Sequence, residues 1–289
     1  MHLPSQVAPG SNTCGPFSET GTFTTAAGQV IQARQALGPN GGTAFGSNGW
    51  FRTLGRSSYN ALEASARHTT GRLTLLGSYT FSKSLDNSST ATEQVYPFNP
   101  GLSRALSAFD ITHNFVVSYS YELPFDKAFG SGRLTQGWIL SGITRFATGL
   151  PVTIVEPDDR SLTGNTSPGP TGDQDEPNYT PGKLLLNTNP RKGGTYFNTS
   201  LFSPETLGQF GNASHRFFHG PGTNNWDIAL LKNIRIRESK TIQVRAEFFN
   251  AFNHVQFNTP DGNILDSTFG VVTGAGSGRI GQLAVKFLF

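Results

Sequence analysis

What this chain has little of narrows it first. It holds one cysteine and one methionine. A lone Cys14 excludes an internal disulfide and leaves the redox compartment unreadable. Charged residues make up 14% of the 289, against about 25% in ordinary soluble domains. The net charge is only +3, and the basic residues are scattered, so no nucleic-acid-binding stripe forms. No run approaches the roughly 18 consecutive apolar residues of a membrane helix. If the chain crosses a bilayer, it does so with strands. The opening MHLPSQVAPGSNTCG shows no charged region followed by an apolar core, so no export signal is read there. A GxSxG nucleophile motif is also lacking.

What is present favours β-structure with many turns: 34 glycines, 23 phenylalanines and abundant Asn, Thr and Ser. The last stretch, GRIGQLAVKFLF (278–289), sets the theme. Leu283, Val285, Phe287 and Phe289 alternate with Gln282, Ala284 and Lys286, as one side of a strand alternates with the other. A chain that stops on its apolar side at an aromatic fits a strand with lipid on one side and a wet lumen on the other. The alternative is an amphipathic edge strand of a soluble sandwich. Gly281 departs from the pattern.

Six more alternating segments precede it. They are Ser57–His68, Arg72–Lys83, Asp110–Glu122, Gln136–Thr148, Asn225–Arg237 and Thr241–Ala251. In the fourth, Ile139 and Ile143 blur the two faces. In the fifth, Lys232 falls on the apolar side, where a lysine at mid-depth costs about 2–4 kcal/mol; a bulge or a shallow position would accommodate it. A further short strand is expected around Phe269–Thr273. Residues 1–56 read as a loop-rich segment and 57–289 as the strand-bearing unit.

The connections between segments alternate in length: short, long, medium, long, short, long. Outer-membrane barrels have short periplasmic turns and long outer loops. Counted back from a periplasmic C-terminus, every short connection falls on the periplasmic side. Tyr119, Tyr121, Phe125 and Trp138 gather near that side, and Phe81, Phe146, Trp226 and Phe248 near the other, as two aromatic girdles would. The expected fold is therefore all-β: an antiparallel transmembrane β-barrel segment of about seven strands, incomplete as a barrel, with long extracellular loops.

The motifs YNALEASARHTTGRLTLLGSYTFSKSLDN (59–87), DITHNFVVSYSYELPF (110–125), GWILSGITRFATGLP (137–151) and IQVRAEFFNAFNHVQFNTP (242–260) resemble, in order, the C-terminal half of the barrel in TonB-dependent outer-membrane receptors. The nearest type is the Oar-like group with a carboxypeptidase-regulatory-like N-terminal domain. The resemblance covers roughly 49–289. It implies energised uptake of a bulky nutrient, a plug, the barrel assembly machinery and the TonB complex as partners, and an outer-membrane location. The C-terminal residues Leu283, Val285, Phe287 and Phe289 resemble the family's assembly signal. The chain shows no plug and no TonB-coupling motif, so a fragment or truncated gene model is expected, with its signal peptide and plug upstream.

Candidate chemistry is sparse. Arg235, Arg237, Arg245, Glu247 and Lys286 would face a lumen, either to guide substrate or simply to hydrate the wall. The acidic loop residues Asp158, Asp159, Asp173, Asp175 and Glu176 could ligate a hard cation, but they lack the spacing of a calcium loop and read as a solvated loop. His215 and His219 are four apart in HRFFH without the glutamate of a zinc-protease helix. Gly274, Gly276 and Gly278 are followed by a strand pattern, not by the helix of a phosphate loop. No metal, cofactor or enzymatic activity is expected. The competing function is a soluble or surface β-sandwich that binds carbohydrate through its loops.

Overall fold

The computed structural model describes residues 22–24, 30–32, 53–90, 93, 95, 100–158, 160, 175–187, 189–206, 209–237 and 240–289. In chain order the strands are β1 (Thr22–Thr24), β2 (Val30–Gln32), β3 (Ser57–Thr70), β4 (Leu73–Asp86), β5 (Ala105–Leu106), β6 (His113–Glu122), β7 (Trp138–Ala147), β8 (Asn178–Tyr179), β9 (Phe202–Ser203), β10 (Thr223–Arg237), β11 (Lys240–Phe249) and β12 (Ile280–Leu288). A single five-residue helix, α1 (Phe125–Phe129), lies in the connection read from sequence as a turn region. β1 and β2 pair as a small ribbon inside the loop-rich first segment.

Seven long strands form one sheet in the order β12-β11-β10-β7-β6-β4-β3, and β5 pairs beside β4. Every neighbouring pair along this path is antiparallel. Six successive reversals leave the two outermost strands, β3 and β12, running the same way. β3 and β12 are not paired with each other, so the barrel is open.

The register explains why alternation was legible. One rung runs Thr70, Leu73, Tyr121, Leu140, Leu230, Ala246, Leu283 across all seven strands. The adjacent rung runs Thr69, Thr74, Ser120, Ser141, Ala229, Glu247, Gln282. Because side chains alternate across a strand, the first rung belongs to an apolar face and the second to a polar one. Ile139 and Ile143, ambiguous in sequence, lie on the polar face beside Glu122 and Asp227.

Among the described residues no second layer covers the apolar face. Leu283 is 82% exposed and Val285 73%. Among the described residues, the buried apolar side chains all come from the connections or from the short strands β5 and β9. A sandwich presses two inner sheet faces together over about 10 Å; this sheet does the reverse, which removes the sandwich reading. The ten residues of β6, at about 3.4 Å each and a tilt near 40°, rise about 26 Å, close to the apolar band of an outer-membrane barrel.

The connections obey the expected parity. Thr70 to Leu73, Glu122 to Trp138 and Arg237 to Lys240 close one rim, while residues 87–112, 148–222 and 250–279 all leave from the other. The short rim is braced by Arg72, whose two Nη atoms donate to the Asp126 carboxylate at 2.6 and 2.7 Å. That bond holds the Asp126 carboxyl well below its usual range, at about 2.

Three expectations change. Asp110 is not the first residue of β6; it lies buried before the strand, with its carboxylate accepting from the Ser84 backbone N–H. Phe269–Thr273 is not a strand: Val271 makes an isolated bridge to Thr195, and Phe269 turns into an aromatic core. The span 149–224, rich in turn-formers and expected to be an irregular loop, has described residues that fold into a packed core, as described next.

Candidate functional site

Three features of this sheet bear on function: its apolar belt, its polar wall and the mass of loops on the long rim.

On the belt, aromatic rings sit toward both rims. Phe125 meets Trp138 edge-on at 6.2 Å near the short rim, and Phe146 meets Trp226 at 5.8 Å near the long one. Two of the glycines that interrupt the belt are covered by rings. A Cβ on Gly142 would meet the Tyr119 hydroxyl at 2.6 Å, and one on Gly281 would meet Phe248 at 3.1 Å. This is how ring side chains fill the gap a strand glycine leaves, and it accounts for Gly281 breaking the alternation. Lys232 needs no bulge; opposite Trp138, the first residue of β7, it takes a shallow position by the short rim. It stays in register between Trp138 and Val244. Its Nζ donates to the carbonyls of Leu134 (2.9 Å) and Gln136, 5.0 Å from the Trp138 ring centre. The chain doubling back at the short rim supplies the acceptors that lipid cannot.

The polar wall carries most of the residues singled out from sequence. Arg245 pairs with Glu247, and Glu247 accepts from Gln282. Gln243 donates to Asn233 at 2.9 Å and stands opposite Lys286. Arg235 lies across from Thr241. A register shift follows between Arg235 and Arg237, and Arg237 pairs with Lys240. The C-terminal residues Leu283, Val285 and Phe287 pair with Ala246, Val244 and Ile242 on the apolar face, while Phe289 lies past the end of β12 and is 93% exposed.

The loops of the long rim fold into a cap with its own core. Val152, Ile154, Tyr196, Phe197, Phe202 and Phe218 are buried together, with Phe269, Ile264 and Val272 packed on them. Phe197 meets Phe202, Phe218 and Phe269 edge-on at 5.7, 5.1 and 5.4 Å. Each such pair contributes about 0.5–1.5 kcal/mol beyond its burial. Isolated bridges Val155 to Asn263 and Thr195 to Val271 tie 149–222 to 250–279.

A buried ionic knot fixes the cap to the sheet. Arg216 is 4% exposed. It reaches Glu93 at 2.5 Å, Asp86 at 3.8 Å, the Leu106 carbonyl at 2.7 Å and Ser89 Oγ at 3.2 Å. Burial pushes the Glu93 carboxyl up, but hydrogen bonds from Arg216 and the Ser89 backbone outweigh it and leave the group below its ordinary value. His219 bonds Asp110 at 2.8 Å, and His215 bonds Glu176 at 2.9 Å. The two histidines of HRFFH thus serve separate carboxylates and share no metal position.

Elsewhere in the cap two acids are buried with no ion pair to either among the described residues. Glu156 and Glu205 are 0% and 1% exposed. Among the described residues, Glu156 Oε2 and both carboxyl oxygens of Glu205 have no hydrogen-bond partner. Burial drives Glu156 up to about 7 and Glu205 to about 8. Of the acidic loop residues, Asp175 is buried, and its carbonyl accepts from the Glu156 N–H at 2.8 Å. Asp159 and Asp173 lie outside the described residues. Among the described residues no three His, Cys, Asp or Glu side chains are placed to hold a metal.

The belt, the wall and the rim asymmetry coincide with a match of residues 3–282 to the outer membrane beta barrel domain. The chain belongs to that family. Searches of curated proteins and of solved structures each returned no match. An outer membrane beta barrel domain resides in the outer membrane, so the uncovered apolar face is its lipid contact and the opposite face its inner wall.

The cap residues of this barrel domain were the ones sequence reasoning missed. Glu93, Glu205 and Arg216 sit in no motif; the only hint was how many turn-forming residues separate β7 from β10. One glycine shows how tightly the cap is built. A Cβ on Gly262 would overlap the Thr153 carbonyl, a backbone atom that cannot swing away. Gly262→Ala is expected to loosen the cap by about 1–3 kcal/mol while leaving the sheet intact. Faster proteolysis of 149–222, with unchanged heat-modifiable mobility of the barrel, would be the signature.

Proposed function

We propose that this chain forms the outer part and wall of a TonB-dependent receptor of the Oar-like type, which takes up a bulky nutrient using energy from the inner membrane. The observation that carries the reading is the packed cap. A simple pore needs an open mouth, whereas here the long-rim loops share an aromatic core and an ionic knot. The ordered resemblance of the strand motifs supports the same family. Under this reading the charged groups of the wall, Arg145, Arg235, Arg245, Glu247 and Lys286, face the lumen and hydrate it or touch a plug. β12, with Leu283, Val285, Phe287 and Phe289, is the strand offered to the barrel assembly machinery. We assign the chain no catalytic step.

The test uses the natural gene product. Outer membranes from the source cells are solubilised, and the periplasmic domain of TonB is immobilised on resin. Retention of the polypeptide, detected with antibody against cap residues 196–206, is the expected outcome. If the protein passes through unretained while a known TonB-dependent receptor from the same membranes is held, the TonB reading fails and the barrel assignment stands.

A further inference from the structure

We infer that the cap is a proton-held closure: the uncharged carboxyl groups of Glu156 and Glu205 keep it shut, and their ionisation releases it. This holds whether or not TonB drives transport. Both side chains are essentially sealed from water, at 0% and 1% exposure. An ionised carboxylate in such a place needs a cation or several donors. Glu205 has neither on its two oxygens, and Glu156 Oε2 is also unpartnered. The Asp158 N–H reaches only Glu156 Oε1, at 3.3 Å.

Among the described residues the charged groups facing the pair are Asp158, Arg160 and Asp175. Two of these are acids, which further disfavour ionisation. The cation, Arg160, donates from Nε to the Glu205 backbone carbonyl at 2.7 Å; its charge favours ionisation of both acids, but less than burial opposes it. A proton on each carboxyl removes the buried charge without calling on any further partner.

The direction follows from linkage. In an opened cap both acids return to their ordinary value near 4.5, while in the closed cap they stand at about 7 and about 8. Between these limits the closed form keeps protons that the open form has released. Closure therefore weakens as pH rises from the ordinary range toward the closed-state values, and is constant above them. Glu93 slopes the other way. Held below its ordinary value by Arg216, it contributes stability that is lost as pH falls through its folded value. The cap is thus firmest in mild acid.

The experiment measures amide hydrogen exchange of the full chain in lipid vesicles at about pH 6 and about pH 9, corrected for intrinsic rates. Protection of 150–158 and 196–206 is expected to fall by at least about tenfold at the higher pH, with belt strands unchanged. Glu156→Gln and Glu205→Gln keep the neutral shape: combined they are expected to stay protected at both pH values, and each alone is expected to lose only its own share of the wild-type pH dependence. Equal protection of the wild type at the two pH values overturns the inference. So does loss of protection at about pH 6 in the glutamine variants, which would mean that charge is required. Restoration of the wild type at about pH 9 by millimolar calcium would also overturn it, by making a metal the neutralising species.

Discussion

Replacing Arg216 by methionine is expected to destabilise the cap by about 3–5 kcal/mol, the cost of stranding buried partners of an ion pair. The Arg216 and Asp86 side chains are each 4% exposed and that of Glu93 8%. Removing the guanidinium leaves two carboxylates facing each other without a cation, and it frees the Leu106 carbonyl. The effect should be local at first, because the sheet carries only the end of β4 and the short β5 of this cluster. Protease cleavage within 196–218 should accelerate by at least about a hundredfold if the opening cost falls by 3 kcal/mol. Adding Asp86→Asn and Glu93→Gln to Arg216→Met should recover much of the loss, since the uncompensated charges are then gone. Equal sensitivity of the single and triple variants would contradict the ion-pair account.

The second large effect belongs to the belt. Leu230 lies at the centre of the fifteen-residue β10, in the apolar rung between Leu140 and Ala246. Leu230→Arg is expected to cost about 2–4 kcal/mol in a bilayer, measured as a shift in urea unfolding from lipid vesicles. Ala229→Arg, one residue earlier, places the same charge on the polar face opposite Glu247 and should be close to neutral. The native Lys232 sharpens the comparison. It shares a face with Leu230 yet is tolerated because two short-rim carbonyls accept from its ammonium. If Leu230→Arg and Ala229→Arg proved equally costly, the assignment of faces to lipid and lumen would be wrong.

What the sequence revealed and what it hid have one physical cause. Lipid on one side and water on the other impose a period of two on every residue of a spanning strand, so Leu283, Val285 and Phe287 announce their surroundings locally. The same constraint makes long connections fall on one rim, and loop parity could be read as well. The cap has no such constraint. Phe197, Phe202, Phe218 and Phe269 meet through contacts set by chain folding, not by spacing, so 149–224 looked like bare turn. Glu205 sits in the unremarkable run SPETL, and nothing near it in sequence marks it as sealed. Phe269–Thr273 failed as a strand for the opposite reason: its local pattern was right, but the cap core claimed Phe269. For Lys232 a shallow position could be anticipated, but not its acceptors, which are supplied about a hundred residues upstream.

That β3 and β12 head the same way has an arithmetic outcome. If neighbours are to alternate all the way round a closed wall, the sheet that joins these two borders must begin and end with strands climbing toward the cap, and so must hold an odd count. A twin of this chain inserted the same way brings seven, but its own borders both descend, so each seam would align instead of oppose. Two identical copies therefore do not complete each other, and whatever finishes the ring is a sheet of different design.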